Sequence, residues 1–139
     1  MILNWLDDFS DPYLKTSSGQ GVFLSGIVLG MVTRYQVNKG ENIDSAPMYK
    51  QIMFGKMQRR DLLRHLSRVP ELIRAYDIPY KYYLQQLSGK AGELLLKESS
   101  EMGVDGNFVF SVSFLNAVEY FWKIFKKNED KNDLGKGAN

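Results

Sequence analysis

Val22-Phe23-Leu24-Ser25-Gly26-Ile27-Val28-Leu29-Gly30-Met31-Val32 contains one hydroxyl and no charge. Continued to residue 37, it reads as a helix that is apolar almost all round, the pattern of an element buried on every side. Gly26 and Gly30 stand four apart on one face, where the missing side chains let another backbone come close, against a propensity cost of about 1 kcal/mol each. The apolar run of residues 21–32 is interrupted by Ser25 and closed by Arg34. It falls far short of the roughly 20 residues that a membrane span needs.

On the N-terminal side, Thr16-Ser17-Ser18-Gly19-Gln20-Gly21 has the composition of a flexible loop. Before it, Ile2, Leu3, Trp5, Leu6 and Phe9 fall near one side of a short helix over residues 2–9. Asp11-Pro12 ends that helix, because the residue before proline disfavours helical geometry, and the segment reads as a docking turn. On the C-terminal side, Asn38-Lys39-Gly40-Glu41-Asn42 is a loop, after which Ser45 caps a helix with Pro47 in its first turn, running to Phe54-Gly55. A helix over residues 58–76 follows, kinked or broken at Pro70. Asp77 caps the next, with Pro79 in its first turn, and the pattern continues to residue 98 through Leu84, Leu87, Ala91, Leu94 and Leu95, weakened locally by Gly89 and Gly92.

Residues 99–106 read as a loop. The last helix, residues 107–127, is dense in aromatics and should pack against the central one. Val109, Phe110, Val112 and Phe114 are also strand formers, and length decides for helix. From Asn128 onward the chain is Asn, Asp, Lys and Gly with too little apolar surface to offset ordering entropy. The expected fold is therefore all-α: an irregular bundle of five or six helices in one domain over residues 1–127, with a disordered tail over residues 128–139.

A chain of 139 residues, 44% hydrophobic and 24% charged, is ordinary globular material for a single core. It has no cysteine, which excludes disulfides and thiolate zinc sites and fits a reducing cytoplasm. The N-terminus carries Asp7 and Asp8 where a secretory leader would carry positive charge, so the chain is expected to stay in the cytoplasm. Net charge is only +2, but it is distributed unevenly. Residues 1–49 hold three basic and five acidic side chains, residues 50–90 nine and three, and residues 91–139 six and eight. A basic middle between acidic ends is the asymmetry of a polyanion-binding face.

Within that middle, Arg60, Arg64 and Arg68 fall on one stripe of a helical wheel, each about 6 Å further along the axis. Leu62, Leu63, Leu66, Val69 and Ile73 occupy the opposite side, so packing turns the arginines outward. Lys56, Arg59, Arg74 and Lys81 flank them. A solvated amphipathic helix shows the same pattern. What favours binding is that only Asp61, Glu71 and Asp77 are nearby to neutralise the excess. Tyr76, Tyr80, Tyr82 and Tyr83 lie beside the basic region. Exposed, such rings stack on bases of a single strand, but tyrosines at this spacing are usually half-buried at helix junctions, so one or two at most should be free.

Catalysis has little to work with. His65 is the only histidine, no cysteine accompanies it, and acid pairs such as Asp7-Asp8 read as solvated. No His/Cys cluster offers a metal site, and neither a GxxxxGK[ST] nor a GxGxxG motif offers a phosphate cradle. The chain is not expected to be an enzyme or to carry a cofactor.

Three segments together resemble a known family. They are Gly21-Val22-Phe23-Leu24-Ser25-Gly26-Ile27-Val28-Leu29-Gly30 with Tyr35-Gln36, then residues 46–76, then residues 108–120. Phe23, Gly26, Gly30, Gln36, Gly55, Lys56 and Tyr76 fit the pattern of the C-terminal helical domain of the CRISPR type I-B Cascade large subunit. Ser111, Ser113 and Ala117 stand where that family's closing helix carries glycines. The domain can also be made as a separate small subunit, which a chain of this length beginning at Met1 resembles. The resemblance implies a place along the belly of a crRNA-guided complex, against the large subunit, backbone subunits and neighbouring copies of itself. It also implies contact with the displaced single-stranded DNA or the crRNA–DNA heteroduplex backbone, and no nuclease activity. In R-loop formation base pairing reads the sequence, while protein contacts to backbone tip a near-balanced exchange.

Overall fold

A computed structural model describes residues 1–125, and over them the chain is helical with no strand. Seven α-helices are present among the described residues: α1 (Ser17–Tyr35), α2 (Pro47–Gln51), α3 (Arg59–Ser67), α4 (Val69–Ala75), α5 (Lys81–Lys97), α6 (Gly103–Leu115) and α7 (Ala117–Phe125). Short 3-10 helices cover Asn4–Asp8, Pro12–Lys15 and Ile43–Ser45. The all-α expectation holds, with more helices than the five or six expected. The proposed tail, residues 128–139, lies outside the described residues.

α1 is the axis of the bundle, with α5 and α6 packed along it and α7 and α3 at its flanks. Every residue from Gly21 to Thr33 is buried. The two hydroxyls within that stretch stay inside by turning back on the helix: Ser25 Oγ donates to the Gly21 carbonyl and Thr33 Oγ1 to that of Leu29, each at 2.7 Å. Gly26 lies against Ser113 and the Phe110 carbonyl, and Gly30 against Phe114 and Ala117. The paired glycines are thus seats for the α6–α7 backbone, and Ser113 and Ala117 are the small residues that meet them.

Several boundaries differ from the sequence-based expectation, each for a local reason. Residues 17–21 are helix, not loop. The Thr16 hydroxyl accepts the Gly19 N–H at 2.9 Å, and the Glu98 carboxylate accepts the Ser18 N–H at 3.0 Å. Gly19 and Gly21 permit close packing there against Tyr13 and Leu95. The N-terminal segment is 3-10 rather than α, and it does dock: Ile2 N–H bonds to the Ile124 carbonyl at 3.0 Å, and Trp5 stacks on Tyr120.

Ser45 ends a 3-10 turn, and Ala46 precedes α2. The Gln36 side-chain carbonyl supplies the cap by accepting the Met48 N–H at 2.7 Å. α2 stops at Gln51, leaving Gly55 to make a tight turn at φ +84°. Pro70 does break the basic helix, and α3 and α4 meet at Arg68. α6 starts at Gly103, inside the expected loop. The long aromatic helix divides at Asn116, whose side-chain amide donates to the Val112 carbonyl at 2.8 Å, while Arg34 donates to the Leu115 carbonyl at 2.9 Å. With its last carbonyls satisfied, α6 can end, and α7 bends away by 81°. No single helix among the described residues is long and apolar enough to cross a membrane.

Asp77 does not cap α5. It ends α4 in a left-handed conformation, φ +50°, with Ile78 N–H bonded to the Ile73 carbonyl at 3.0 Å and its own N–H to that of Arg74 at 3.4 Å. This is the Schellman arrangement, with aspartate where glycine is usual, and Ile73 and Ile78 are buried together beneath it. Pro79 consequently precedes α5 rather than joining it, and Tyr80, at φ +62°, is the residue before the helix.

Candidate nucleic-acid interface

α3 begins with reciprocal capping. Gln58 and Asp61 exchange side-chain and backbone hydrogen bonds, the Gln58 N–H reaching Asp61 Oδ2 at 2.9 Å. Leu62, His65 and Leu66 on α3, and Val69, Leu72 and Ile73 on α4, are buried, while Leu63 is half-buried. The arginines therefore point away from the core, as the wheel required, but they do not form one equivalent set.

Arg60 is exposed and has no partner among the described residues. Arg64, 63% exposed, pairs with Asp61 at 3.3 Å. At the α3–α4 junction Arg68 is half-buried, and Nη1 reaches Gln51 Oε1 at 3.3 Å. Arg59 is also half-buried and serves the fold: Nη1 donates to the carbonyls of Leu95 at 2.9 Å and Glu98 at 3.3 Å, at the C-terminus of α5. A cation there satisfies orphan carbonyls and opposes the negative end of the helix dipole. Arg74 is exposed in the last turn of α4, and Lys81 is exposed at the start of α5.

Lys56, Arg59 and Arg60 come together on one groove of about 710 Å³, whose far wall is Ser99, Ser100, Glu101, Met102 and Val104. Lys56 owes its position to a residue that sequence reasoning passed over. Asn107, buried in α6, accepts the Met57 N–H at 2.7 Å and donates to the Met57 carbonyl at 3.1 Å and to the Gly103 carbonyl at 2.8 Å. One side chain thus holds the 55–58 turn against α6 as a strand neighbour would. The only signal for it was an asparagine within an aromatic run. Lys81 lies in a separate hollow formed by residues 77–83, so the seven candidate cations are not gathered in one pocket.

His65 is 3% exposed, and neither ring nitrogen has a hydrogen-bond partner among the described residues. Burial, reinforced by the positive charges of Arg64 and Arg68 and only partly offset by Asp61, pushes its pKa below the usual histidine value. It is therefore a neutral core residue. A second surface was also not anticipated: Val104, Phe108 and Leu115 are exposed at helical spacing on α6, as is Val118 at the start of α7, so α6 carries apolar residues on its outer face as well as its inner one.

The chain belongs to the family of the CRISPR-associated protein TM1802 (cas_TM1802) C-terminal domain, which matches residues 2–128. This makes it a CRISPR-associated domain, which is the broader part of what the resemblance implied, and ties it to CRISPR defence. No curated protein and no solved structure matches it.

Proposed function

We propose that this chain is the non-catalytic small subunit of a crRNA-guided Cascade complex of type I-B or a related type I system. It holds nucleic-acid backbone, the displaced single strand or the heteroduplex, and so stabilises the R-loop in antiviral defence in the cytoplasm. Its protein neighbours are the large subunit, backbone subunits and further copies of itself. The observation that carries the reading is the set of cations with no competing role in the fold. Lys56 and Arg60 face a groove with no side-chain partner among the described residues, and Arg64 has only a surface pair with the half-buried Asp61, worth about 0–1 kcal/mol. The non-catalytic part is supported by the burial of His65, which keeps the one imidazole away from any substrate.

The test is binding of the full chain to a fluorescent single strand across a salt series, against a variant with Lys56, Arg60 and Arg64 changed to alanine. Arg59 and Arg68 are left intact because they brace the fold. Loss of three phosphate contacts should lower the slope of log K against log salt by about 2. An unchanged slope in a folded variant removes the phosphate assignment. A purely protein-docking role is then left, with the basic residues against acidic protein surfaces, a reading that the exposed apolar ridge of α6 favours.

A further inference from the structure

The turn between α4 and α5 is more constrained than its length requires. Two of its non-glycine residues, Asp77 and Tyr80, adopt left-handed backbone conformations at φ +50° and +62°. For a bulky residue such as tyrosine this is unusual and costs about 1–2 kcal/mol. Strain of this kind persists only where surrounding packing fixes it, and it concentrates at ligand sites. Here the packing is aromatic. Tyr80 meets Trp122 edge-on at 4.7 Å between centroids, and Tyr83 stacks on Phe125 at 4.4 Å.

Between these anchored rings Tyr82 is left out. It is 69% exposed, and its one ring contact among the described residues is with Tyr83, tilted, at 6.0 Å between centroids. It borders an open hollow of about 400 Å³ lined by residues 77–83, with Lys81 and Asp77 contributing its charges. Lys81 is exposed and unpartnered among the described residues. Arg74, in the last turn of α4, stands three residues before the hollow in sequence.

We infer that this hollow is a stacking site for one unpaired nucleobase, held on the face of Tyr82 with its phosphate toward Lys81. The inference rests on the nucleic-acid reading above and adds to it a contact that senses bases rather than backbone. A rigidly framed, exposed aromatic beside a cation is the element from which sequence-tolerant single-strand binding is built. Tyrosine presents that area with few rotatable bonds to freeze. The Asp77 carboxylate on the rim repels phosphate and accepts N–H donors, which orients the backbone to the Lys81 side. A base-paired duplex offers no free face to Tyr82, so the site distinguishes a displaced strand from a heteroduplex.

The experiment compares binding of the full chain to an oligothymidylate and to a strand of equal length and charge whose central nucleotides are abasic. Wild type should prefer the strand with bases by about 5- to 150-fold. Tyr82→Ala should remove that preference without altering the salt slope, and Tyr82→Phe should retain it. The variant lacking Lys56, Arg60 and Arg64 should weaken both strands alike and leave the ratio intact. A ratio unchanged in Tyr82→Ala, or absent in wild type, overturns the stacking site and leaves the phosphate reading standing. A ratio lost in Tyr82→Ala together with a slope indifferent to the three cations does the reverse. Failure to bind either strand overturns both.

Discussion

Replacing Asn107 by alanine tests whether the groove is built by one amide. Asn107 makes three hydrogen bonds to backbone, two of them to Met57, which is 3% exposed. Truncation takes away the side-chain partners of the Met57 N–H and C=O on the buried floor of the groove. An unsatisfied buried backbone group costs about 1–3 kcal/mol, so the pair should cost about 2–4 kcal/mol after partial relaxation of the 55–58 turn. In urea denaturation this appears as a lower midpoint at unchanged m value, and in thermal unfolding as a fall of about 3 °C per kcal/mol for a chain of this size. Asn107→Asp keeps an acceptor for the Met57 N–H but turns a carboxylate toward the Met57 and Gly103 carbonyls. Its pKa is then raised in the folded state, so its stability should recover as pH falls and the acid becomes a donor. An alanine variant within 0.5 kcal/mol of wild type would show that the amide is not what holds the turn, and the account of how Lys56 reaches the groove would fall with it.

Three further outcomes follow from the same structure. Gly30→Ala places a methyl against the Phe114 carbonyl and should destabilise by about 1–3 kcal/mol, while Gly89→Ala, with open space beside it on α5, should stabilise by about 0.5–1 kcal/mol; denaturation midpoints of the two variants must move in opposite directions. Asp77→Gly relieves the left-handed position that closes α4 and should gain about 0.5–1 kcal/mol by the same measurement. His65 has a folded pKa below its ordinary 6.5, so the unfolded chain binds the proton first, and stability, flat at neutral pH, should decline as pH drops below about 6.5. His65→Leu should abolish that decline in midpoints compared between pH 7.5 and 5.

The central helix was legible because an apolar stretch with no polar face admits only burial, and the glycine pair announced where another backbone would sit. Outward-facing arginines were legible from the leucine spacing opposite them. What the sequence did not display is how helix ends are satisfied. Ser17 to Gly21 look like a loop by composition, yet Glu98, eighty residues away, accepts the Ser18 N–H and helps make them helix. Asp77 looks like an N-cap, yet its backbone takes the left-handed position that closes the preceding helix. The groove shares that opacity, since its walls at residues 55–60 and 99–104 are joined through Asn107, and no local pattern couples an asparagine in one helix to a backbone amide fifty residues earlier.

Helix ends also decide which cations are free to act. A bundle of short helices has many C-termini, each leaving carbonyls that attract arginine, and two of the arginines are taken up that way: Arg34 at α6 and Arg59 at α5. Arg68 is drawn to a side-chain amide. Each of these three has one guanidinium nitrogen committed to a protein acceptor, which ties the side chain to the fold and leaves its remaining N–H donors for a phosphate. Lys56, Arg60, Arg74 and Lys81 have no side-chain partner to give up among the described residues, and Arg64 has only its surface pair with Asp61. Within the positive excess of residues 50–90, then, Arg59 is committed to the carbonyls that end α5 and Arg68 to Gln51, while Lys56, Arg60, Arg74 and Lys81 have no side-chain partner among the described residues.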